Sequence, residues 1–351
     1  MVLKTPDKIQ NLQRKLYLKA KSEPEYRFYV LYDKIYREDI LIHAYRLAKA
    51  NGGSAGTDGV TFDQIASEGV TEWVTGIREQ LRAKTYRPQP VRRVMIPKPG
   101  GGERPLGIPT IRDRVVQTAT KLVVEPIFEA DLEPNVHGYR PKRSALDAIQ
   151  QVHQLLKQGY TDVVDADLSK YFDTIPHQAL MQCVSRRIVD HSVLRLIKLW
   201  LKTPVVHDEG KGRGGKITGG RKSTCGTPQG GVISPLLANV YMNRFLKHWR
   251  MQGCDEIFRA HVVSYADDFV IVCRKKRDAE RALQVVKQIM VRLKLTLHPT
   301  KTRIVDMGRE GFDFLGFHFH KLKSKKTNKL LPYMWPSQKA MKAVRARIHQ
   351  I

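Results

Sequence analysis

Two adjacent carboxylates interrupt a segment that is otherwise typical of a buried β-strand. In "SYADDFVIV", residues 264–272, Asp267 and Asp268 stand among β-branched and aromatic residues. Those residue types favour strands, whereas Asp is depleted there. Like charges side by side repel, and burying even one unpaired carboxylate is costly. The tetrapeptide by itself favours a β-turn at an exposed hairpin tip, so a chemical role requires further acids nearby.

A third candidate acid lies on another predicted strand, 100 residues earlier. In "YTDVVDADLSKYFDTI", residues 160–175, apolar residues at 164, 166 and 168 alternate onto a core face, and Asp165 and Asp167 alternate onto the other face. If the two strands are neighbours in one sheet, Asp167 converges with Asp267 and Asp268. From spacing alone, three unrelated surface acids remain the favoured alternative.

Converging carboxylates would need cations to neutralise them, and hard oxygen ligands suit Mg²⁺. Two such ions, roughly 3.5–4 Å apart, would activate a 3′-hydroxyl and stabilise the leaving pyrophosphate of an in-line phosphoryl transfer. The acids therefore raise the hypothesis of a nucleotidyl-transfer site.

A mixed α/β pattern must position these acids. The first fifty residues predict helix that stops at a double glycine, and Val70 to Ala83 predict a second helix. Val91 to Pro97 and Arg104 to Ile108 predict a β-hairpin with a Pro/Gly-rich tip. Further on, helices alternate with the acidic strand, a glycine-rich loop, the acidic hairpin and a last strand pair in "GFDFLGFHF".

A helix just before the first acidic strand has clear boundary signals. "SALDAIQQVHQLLKQG", residues 144–159, starts with a capping-box pattern, Ser144 with Asp147. Leu146, Ile149 and Leu156 are expected to share its buried face, and Gly159 to end it.

The charge balance favours a polyanionic partner. The chain has 351 residues, 61 Lys plus Arg against 34 Asp plus Glu, and a formal net charge of +27. No apolar segment approaches the roughly 20 residues needed to span a bilayer, and no signal-peptide pattern opens the chain. Because the basic residues are spread along the chain rather than gathered on one amphipathic helix, nucleic acid is expected in preference to a membrane.

The cysteines and histidines argue against a zinc or disulfide framework. The four cysteines are far apart and form no CxxC pair, which favours a reducing, cytoplasmic location. His318 and His320 lie in an alternating aromatic strand and are interpreted as ordinary strand residues rather than zinc ligands.

A glycine-rich segment imitates a nucleotide-binding loop. Gly210, Gly212 and Gly215 match GxGxxG, and residues 210–216 nearly match a Walker loop. Both motifs require a strand before them and a helix after them, and the Walker loop requires Ser or Thr after its lysine, where Ile217 stands. We interpret this segment as a flexible basic loop.

Five segments resemble the motifs of reverse transcriptases, in that family's order. They are "RPLGIPTIRDRVVQ" (104–117) for the fingers, "DLSKYFD" (167–173) for the first palm motif, "GTPQGGVISPLLANVYM" (226–242) for the next, "YADD" (265–268) for the metal-binding box, and "FLGF" (314–317) for the strand pair that grips the primer. With "GTDGVT" (56–61) and the helical N-terminus, they are most similar to bacterial group II intron-encoded reverse transcriptase/maturases. The resemblance covers roughly residues 27–319.

The resemblance implies a catalytic set and a substrate-binding set. Asp167, Asp267 and Asp268 would be catalytic and hold two Mg²⁺ ions, with Mn²⁺ as a substitute; Asp268 is the least certain ligand, because adjacent strand residues point in opposite directions. Asp165 and Asp173 would have supporting or structural roles. No covalent nucleophile is expected, since this chemistry depends on positioning and electrostatics.

Four further residues would bind the incoming nucleotide. Phe172 would crowd a ribose 2′-hydroxyl and so favour dNTPs, with plain core packing as its alternative. Gln229 would lie over the nucleotide. Lys98 and Arg104 would clamp the triphosphate as charge-assisted donors, with a solvated basic turn as their alternative.

The resemblance also implies a right-hand polymerase of α/β (α+β) class with a ferredoxin-like palm. The expected parts are an N-terminal helical extension (1–80), fingers (81–160), a palm (161–320) with the basic loop 208–224 inserted, and a basic connector with the start of a thumb (321–351). Since "SQKAMKAVRARIHQI" supplies about one thumb helix, a truncated thumb is expected.

The implied function is RNA-directed DNA polymerisation serving a group II intron. The implied partners are an RNA template, a DNA primer, dNTPs and intron RNA; no membrane is expected, and a homodimer is left open. Two alternatives remain: a non-catalytic intron RNA-binding splicing cofactor, and a related reverse transcriptase of a retron, a diversity-generating element or a CRISPR-linked system.

Overall fold

The computed structural model describes residues 3–97, 102–207, 217–228 and 230–349. The chain forms two compact units, each of which is assembled from separate stretches of sequence. The first comprises Met1–Lys98, Gly102–Leu132 and Phe172–Tyr241, and the second comprises Pro99–Gly101, Glu133–Tyr171 and Met242–Ile351.

Helices and strands alternate along the chain, as the sequence predicts for a mixed α/β protein. The helices are α1 (Asp7–Ser22), α2 (Tyr32–Ile35), α3 (Glu38–Asn51), α4 (Phe62–Glu68), α5 (Val70–Arg82), α6 (Ile111–Glu129), α7 (Ala145–Lys157), α8 (Tyr171–Thr174), α9 (His177–Ser185), α10 (His191–Leu201), α11 (Ser234–Met251), α12 (Cys254–Ile257), α13 (Lys276–Arg292) and α14 (Gln338–Ile348). The strands are β1 (Val91–Pro97), β2 (Glu103–Ile108), β3 (Asp162–Asp167), β4 (Pro204–His207), β5 (Ile217–Gly219), β6 (Ala260–Tyr265), β7 (Asp268–Cys273), β8 (Arg303–Asp306), β9 (Phe312–Phe314), β10 (Phe317–Lys323) and β11 (Leu330–Pro336).

The first unit packs helices around α6. Helices α1, α2 and α3 all contact α6, whose buried residues lie on most of its circumference. A small sheet of order β2-β1-β4-β5 completes the unit. Its β1–β2 hairpin confirms the predicted one, with Ile96 opposite Arg104.

The predicted N-terminal helix is broken into three. Helix α1 ends at Ser22, because Pro24 cannot continue a helix and disfavours helical backbone in the residue before it. The backbone N–H groups of Leu31 and Tyr32 then donate to the carboxylate of Asp190, at 2.9 and 2.8 Å. Tertiary hydrogen bonds therefore replace helical ones in this segment.

The second unit is built on an antiparallel sheet of order β6-β7-β3-β8. The two acid-bearing strands are direct neighbours, as the sequence hypothesis required. Helix α13 packs against β3, β7 and β8, and α7 packs against β6 and β7. Strand β3 thus carries buried side chains on both faces: Val163 and Val164 are both fully buried.

This burial corrects the prediction that Asp165 and Asp167 occupy a face away from the core. Because side chains alternate along a strand, Val163 shares their face, and it belongs to the apolar cluster under α7. The acids lie where that same face leaves the cluster, and both are only half-buried.

Helix α7 confirms its predicted boundaries. Ser144 and Asp147 form the reciprocal capping box, and Gly159 adopts a φ of +92°, which suits glycine at the end of a helix. One expectation was wrong: Leu146 is 51% exposed, and the buried face is formed by Ile149, Val152 and Leu156 instead. Leu146 lies in the first turn, before the helix reaches the sheet.

A second sheet, of order β11-β10-β9, contributes Phe312, Phe314 and Phe319 to the cluster under α7. Its strands β9 and β10 are the predicted pair of "GFDFLGFHF". Helix α14 follows β11 and has no buried residues.

Two smaller observations bear on the predicted location. Within the described residues, no helix is both long and apolar enough to span a membrane. All four cysteines are free thiols; Cys225 is exposed and the other three are buried.

Candidate active site

The paired aspartates occupy a tight turn between two strands. Tyr265, the last residue of β6, pairs with Asp268, the first residue of β7, so that Ala266 and Asp267 form the connecting loop. Ala266 adopts a φ of +59°, a left-handed conformation that side chains other than glycine rarely adopt. Since Asp267 lies in the loop rather than on the strand, the alternation that cast doubt on Asp268 does not apply to this pair.

A neighbouring segment holds this turn in place. Ser264 donates its backbone N–H to the carbonyl of Asn135 at 3.0 Å, and its own carbonyl accepts from the N–H of His137 at 2.9 Å. Gly138 then passes so close to the turn that a Cβ on it would lie 2.4 Å from the backbone nitrogen of Ala266. Only glycine therefore fits at position 138 while the turn keeps this geometry.

Strand register brings the third acid to the turn. In the antiparallel β3–β7 pair, Asp167 lies directly opposite Asp268. Like charges at opposed positions destabilise a sheet by themselves, so this pairing marks a place where a cation is needed. Asp167, Asp267 and Asp268, which are separated by 100 residues of sequence, are thereby brought together.

Desolvation and neighbouring carboxylates raise the pKa of Asp267 and of Asp268. Asp268 keeps contact with solvent, but protein displaces part of the water around its carboxylate, and this desolvation raises its pKa. Repulsion from the charges of Asp267, Asp167 and Asp165 raises it further, so that the pKa reaches about 7. Desolvation also raises the pKa of Asp267, with repulsion from Asp167 adding to it. The site concentrates more negative charge than its surroundings neutralise.

The site contains a cationic side chain that the sequence did not predict, Lys301. Lys301 Nζ donates to Asp167 Oδ2 at 2.6 Å, and this hydrogen bond raises the pKa of the lysine. The loop before β8 brings it there: His298 donates its N–H to the Asp167 carbonyl at 2.8 Å, and Thr302 donates to the His298 carbonyl. No local signal in "LHPTKTRIV" distinguishes this lysine from other surface lysines, because its partner is 134 residues away.

A fourth acid, Asp165, lies one step further along the same face of β3. It pairs in register with Arg303 of β8, whose Nε is 4.0 Å from its carboxylate. Partial burial is the largest cause that raises the pKa of Asp165, to about 6; Asp167 and Asp313 add to it, and Arg303 opposes it. Asp165 therefore links the acidic turn electrostatically to β9.

The donor set suits a hard cation, although it is not a ready-made cage. Among the described residues, no three His, Cys, Asp or Glu side chains are close enough to form a metal site by themselves. Mg²⁺ is typically held by one or two carboxylates together with waters and substrate phosphates rather than by an all-protein cage. Clustered carboxylates, of which Asp267 and Asp268 have a raised pKa, fit that mode of binding together with the neighbouring Lys301 ammonium.

The other predicted residues belong to the first unit or are not described. Arg104 is exposed on β2, and Phe172 is half-buried in α8, where its carbonyl accepts a 2.7 Å hydrogen bond from the N–H of Thr227. Lys98 and Gln229 lie outside the described residues, as does most of the glycine-rich loop. The roles predicted for these residues remain predictions.

The site lies within a region that matches a known family. A family model described as "Reverse transcriptase (RNA-dependent DNA polymerase)" matches residues 96–319, which include all four acids and Lys301. The match therefore includes both acidic strands, β3 and β7, and part of the β1–β2 hairpin.

Curated relatives include proteins that are named for introns. Protein YkfC of Escherichia coli (strain K12) is 33% identical over 369 residues, covering 95% of this chain and 93% of YkfC. Group II intron-encoded protein LtrA of Lactococcus lactis subsp. cremoris is 35% identical over 218 residues, covering 62% of this chain and 34% of LtrA. Putative COX1/OXI3 intron 2 protein of Saccharomyces cerevisiae is 26% identical over 332 residues, covering 79% of this chain and 37% of that protein.

Proposed function

Because this chain belongs to the reverse transcriptase family, of the type that group II introns encode, we propose that it is an RNA-directed DNA polymerase. It would transfer a nucleotidyl group from a dNTP to the 3′-hydroxyl of a DNA primer on an RNA template. The observation that carries this proposal is the β3–β7 register, which sets Asp167 opposite Asp268 beside the Asp267 turn.

Mg²⁺, when bound, would supply the Lewis acidity that activates the primer hydroxyl and stabilises the leaving pyrophosphate. Asp167, Asp267 and Asp268 are the residues that would hold it. Lys301 is close enough to these acids to offer its ammonium to the phosphates of a bound nucleotide, as a point charge that adapts to phosphate oxygens. The protein itself contributes positioning and electrostatics, and no covalent intermediate is required.

Four further residues would select and bind the nucleotide. Phe172 would exclude the ribose 2′-hydroxyl and so favour dNTPs, and Arg104, Lys98 and Gln229 would contact the nucleotide. The chain's net charge of +27 would hold the template and primer chiefly through phosphates, so binding should weaken as salt rises.

We further propose that the RNA partner includes a group II intron. This rests on the name of LtrA, a group II intron-encoded protein. The similarity covers only 34% of LtrA, so it does not extend to the rest of that protein. Splicing assistance is the corresponding maturase function.

Primer extension with RNA template, DNA primer, dNTPs and Mg²⁺ tests the proposal. We expect extension by the parent chain and at least a roughly 10³-fold loss in the Asp267→Ala, Asp268→Ala double variant, because several kcal/mol of transition-state stabilisation disappear. RNA affinity, measured in parallel, should not fall in the variant.

The alternative that the sequence leaves open is non-catalytic intron RNA binding. If neither protein extends the primer and both bind RNA equally well, that second function replaces the first.

A further inference from the structure

Beside the acidic site, the second unit contains a cavity of about 430 Å³. This volume lies in the range of pockets that bind small organic molecules, roughly 300–1,000 Å³, and is far larger than a water site. We call it the Trp335 pocket. Its polar and aromatic lining is formed by Asp165, Arg303, Asp313, His318, Trp335 and Gln338.

The aromatic wall of the Trp335 pocket is rigidly built. Trp335 and His318 are register partners on β11 and β10, and their rings lie 5.0 Å apart. His318 Nδ1 is 2.6 Å from the carboxylate of Asp313, which fixes the imidazole. A Cβ on Gly311 would lie 2.3 Å from His318 Nε2, so glycine is required for the imidazole to occupy this position. Trp335 as a whole is 38% exposed to solvent.

The polar wall of the pocket offers hydrogen-bond acceptors. Among the described residues, no group donates a hydrogen bond to the carboxylate of Asp165. Its nearest cation is Arg303, whose Nε is 4.0 Å away. Asp313 uses one oxygen for His318, and its side chain is 59% exposed. Two carboxylates with unused acceptor capacity, facing an exposed indole, suit a flat ligand that carries N–H donors.

An anionic ligand does not suit this lining. Arg303 is the only guanidinium or ammonium of the pocket, and it is already paired with Glu310 at 3.3 Å. Two carboxylates would therefore repel a phosphate inside the cavity. Because side chains alternate along β10, Lys321 and Lys323 lie on the face of Phe319, opposite to His318 and the pocket. The phosphates of a ligand would therefore lie in solvent, outside the cavity.

We infer that the Trp335 pocket binds an unpaired nucleobase that carries an exocyclic amino group, such as guanine. The base would stack on Trp335, its amino group would donate to Asp313 and Asp165, and its phosphates would lie outside the cavity. Unpaired bases are commonly bound in this way, by aromatic stacking and hydrogen bonds to their exposed edges. The inference does not depend on polymerase activity.

Binding of free guanosine to the full chain, in the presence of EDTA and without primer or template, tests the inference. Trp200 and Trp249 are buried and Trp73 is half-buried, so quenching of tryptophan fluorescence should report chiefly on Trp335. We expect saturable quenching with a dissociation constant of roughly 0.1–1 mM, typical of a weak small-ligand site. Inosine, which lacks the exocyclic amino group, and uridine should each bind at least about fivefold more weakly.

Two variants and a control separate the pocket from general stickiness. Calorimetric titration should detect no guanosine binding to Trp335→Ala. Asp313→Asn should bring guanosine and inosine within about twofold of each other, since one acceptor is replaced by a donor. Tyr333→Ala removes a similarly exposed aromatic of the same strand outside the pocket, and should leave binding unchanged. Absence of saturable binding, equal binding of guanosine and uridine, or full binding by Trp335→Ala would each overturn the inference.

The source of the base is resolved by a second arm. An RNA hairpin with one unpaired guanosine is compared with the same hairpin carrying an abasic residue there. A preference for the guanosine hairpin that Trp335→Ala abolishes identifies a strand nucleotide as the occupant. Equal binding of both hairpins, together with guanosine binding, identifies a free nucleoside or nucleotide.

Discussion

Two hairpins of the second unit, β6–β7 and β10–β11, carry opposite charges in opposite settings. Strand β7 is an inner strand whose residues after Asp268 are all buried, and its turn bears two aspartates. Strand β11 is an edge strand that is mostly exposed, and the connection before it, residues 324–329, carries Lys325, Lys326 and Lys329. One hairpin places charge beside a buried strand that packing fixes, and the other places charge on side chains exposed to solvent.

This difference matches two kinds of phosphate chemistry. A catalytic cation must be held within a fraction of an ångström of the reacting atoms, so its ligands need a rigid support. Binding to a phosphate backbone is a collective electrostatic effect in which each lysine contributes a similar small amount. We therefore expect single substitutions to act sharply around the acidic turn and gradually around the basic connection.

Among single substitutions, the largest effect is expected from Gly138→Ala, which changes no charge. Its new Cβ would lie 2.4 Å from the Ala266 nitrogen and must displace the acidic turn. We expect primer extension to slow about 10²-fold and the free energy of unfolding to fall by about 1–3 kcal/mol, with RNA affinity retained.

Gly76→Ala in α5 is the matched control for this substitution. A Cβ there would contact nothing within 4 Å, so the helix should gain about 0.5–1 kcal/mol and extension should be unaffected. Normal extension by Gly138→Ala would show that the turn does not need its fixed position.

A smaller effect is expected from Lys301→Met. Removing the ammonium 2.6 Å from Asp167 leaves the acids without their nearest cation, so half-maximal extension should need less Mg²⁺. The maximal rate should fall roughly tenfold, because the Lys301 ammonium no longer stabilises the negative charge that develops on the leaving pyrophosphate. Magnesium titrations of extension rate measure both quantities, and Lys287→Met, on the exposed surface of α13, serves as the control. If Lys301→Met needs less Mg²⁺ but keeps the maximal rate, Lys301 only balances the charge of the acids and does not act on the leaving pyrophosphate.

The smallest effect is expected from neutralising the basic connection. In Lys325→Ala, Lys326→Ala, RNA affinity should fall only severalfold at moderate salt, and the slope of log affinity against log salt should decrease by about 0.7–0.9 for each lost phosphate contact. Extension at saturating RNA should not change. Filter binding over a salt series measures the slope, with a Lys287→Ala, Lys294→Ala variant as control. An unchanged slope would mean that the β10–β11 connection does not contact phosphate.

Local patterns identified much of the fold and of the site correctly. The Ser144–Asp147 capping box and Gly159 define α7, because these signals lie within a few residues of what they control. Alternation identified β3 as a strand, and β-branched and aromatic residues identified β7, for the same reason. The N-terminal helix was predicted too long: Pro24 is a local signal that ends α1, but the segment at Leu31 and Tyr32 depends on Asp190, which is distant in sequence and accepts backbone hydrogen bonds there.

By itself, the sequence determined the α/β class, the family and the acids that could hold a cation, since each is written in residue types and short spacings. Only the tertiary structure decided that Asp167 faces Asp268, that Lys301 joins them, and that Trp335, His318 and Asp165 enclose a pocket. The physical reason is that strand neighbours and registers are chosen by burial across the whole unit. Residues more than 100 positions apart are brought into contact by that choice, and no local periodicity records it.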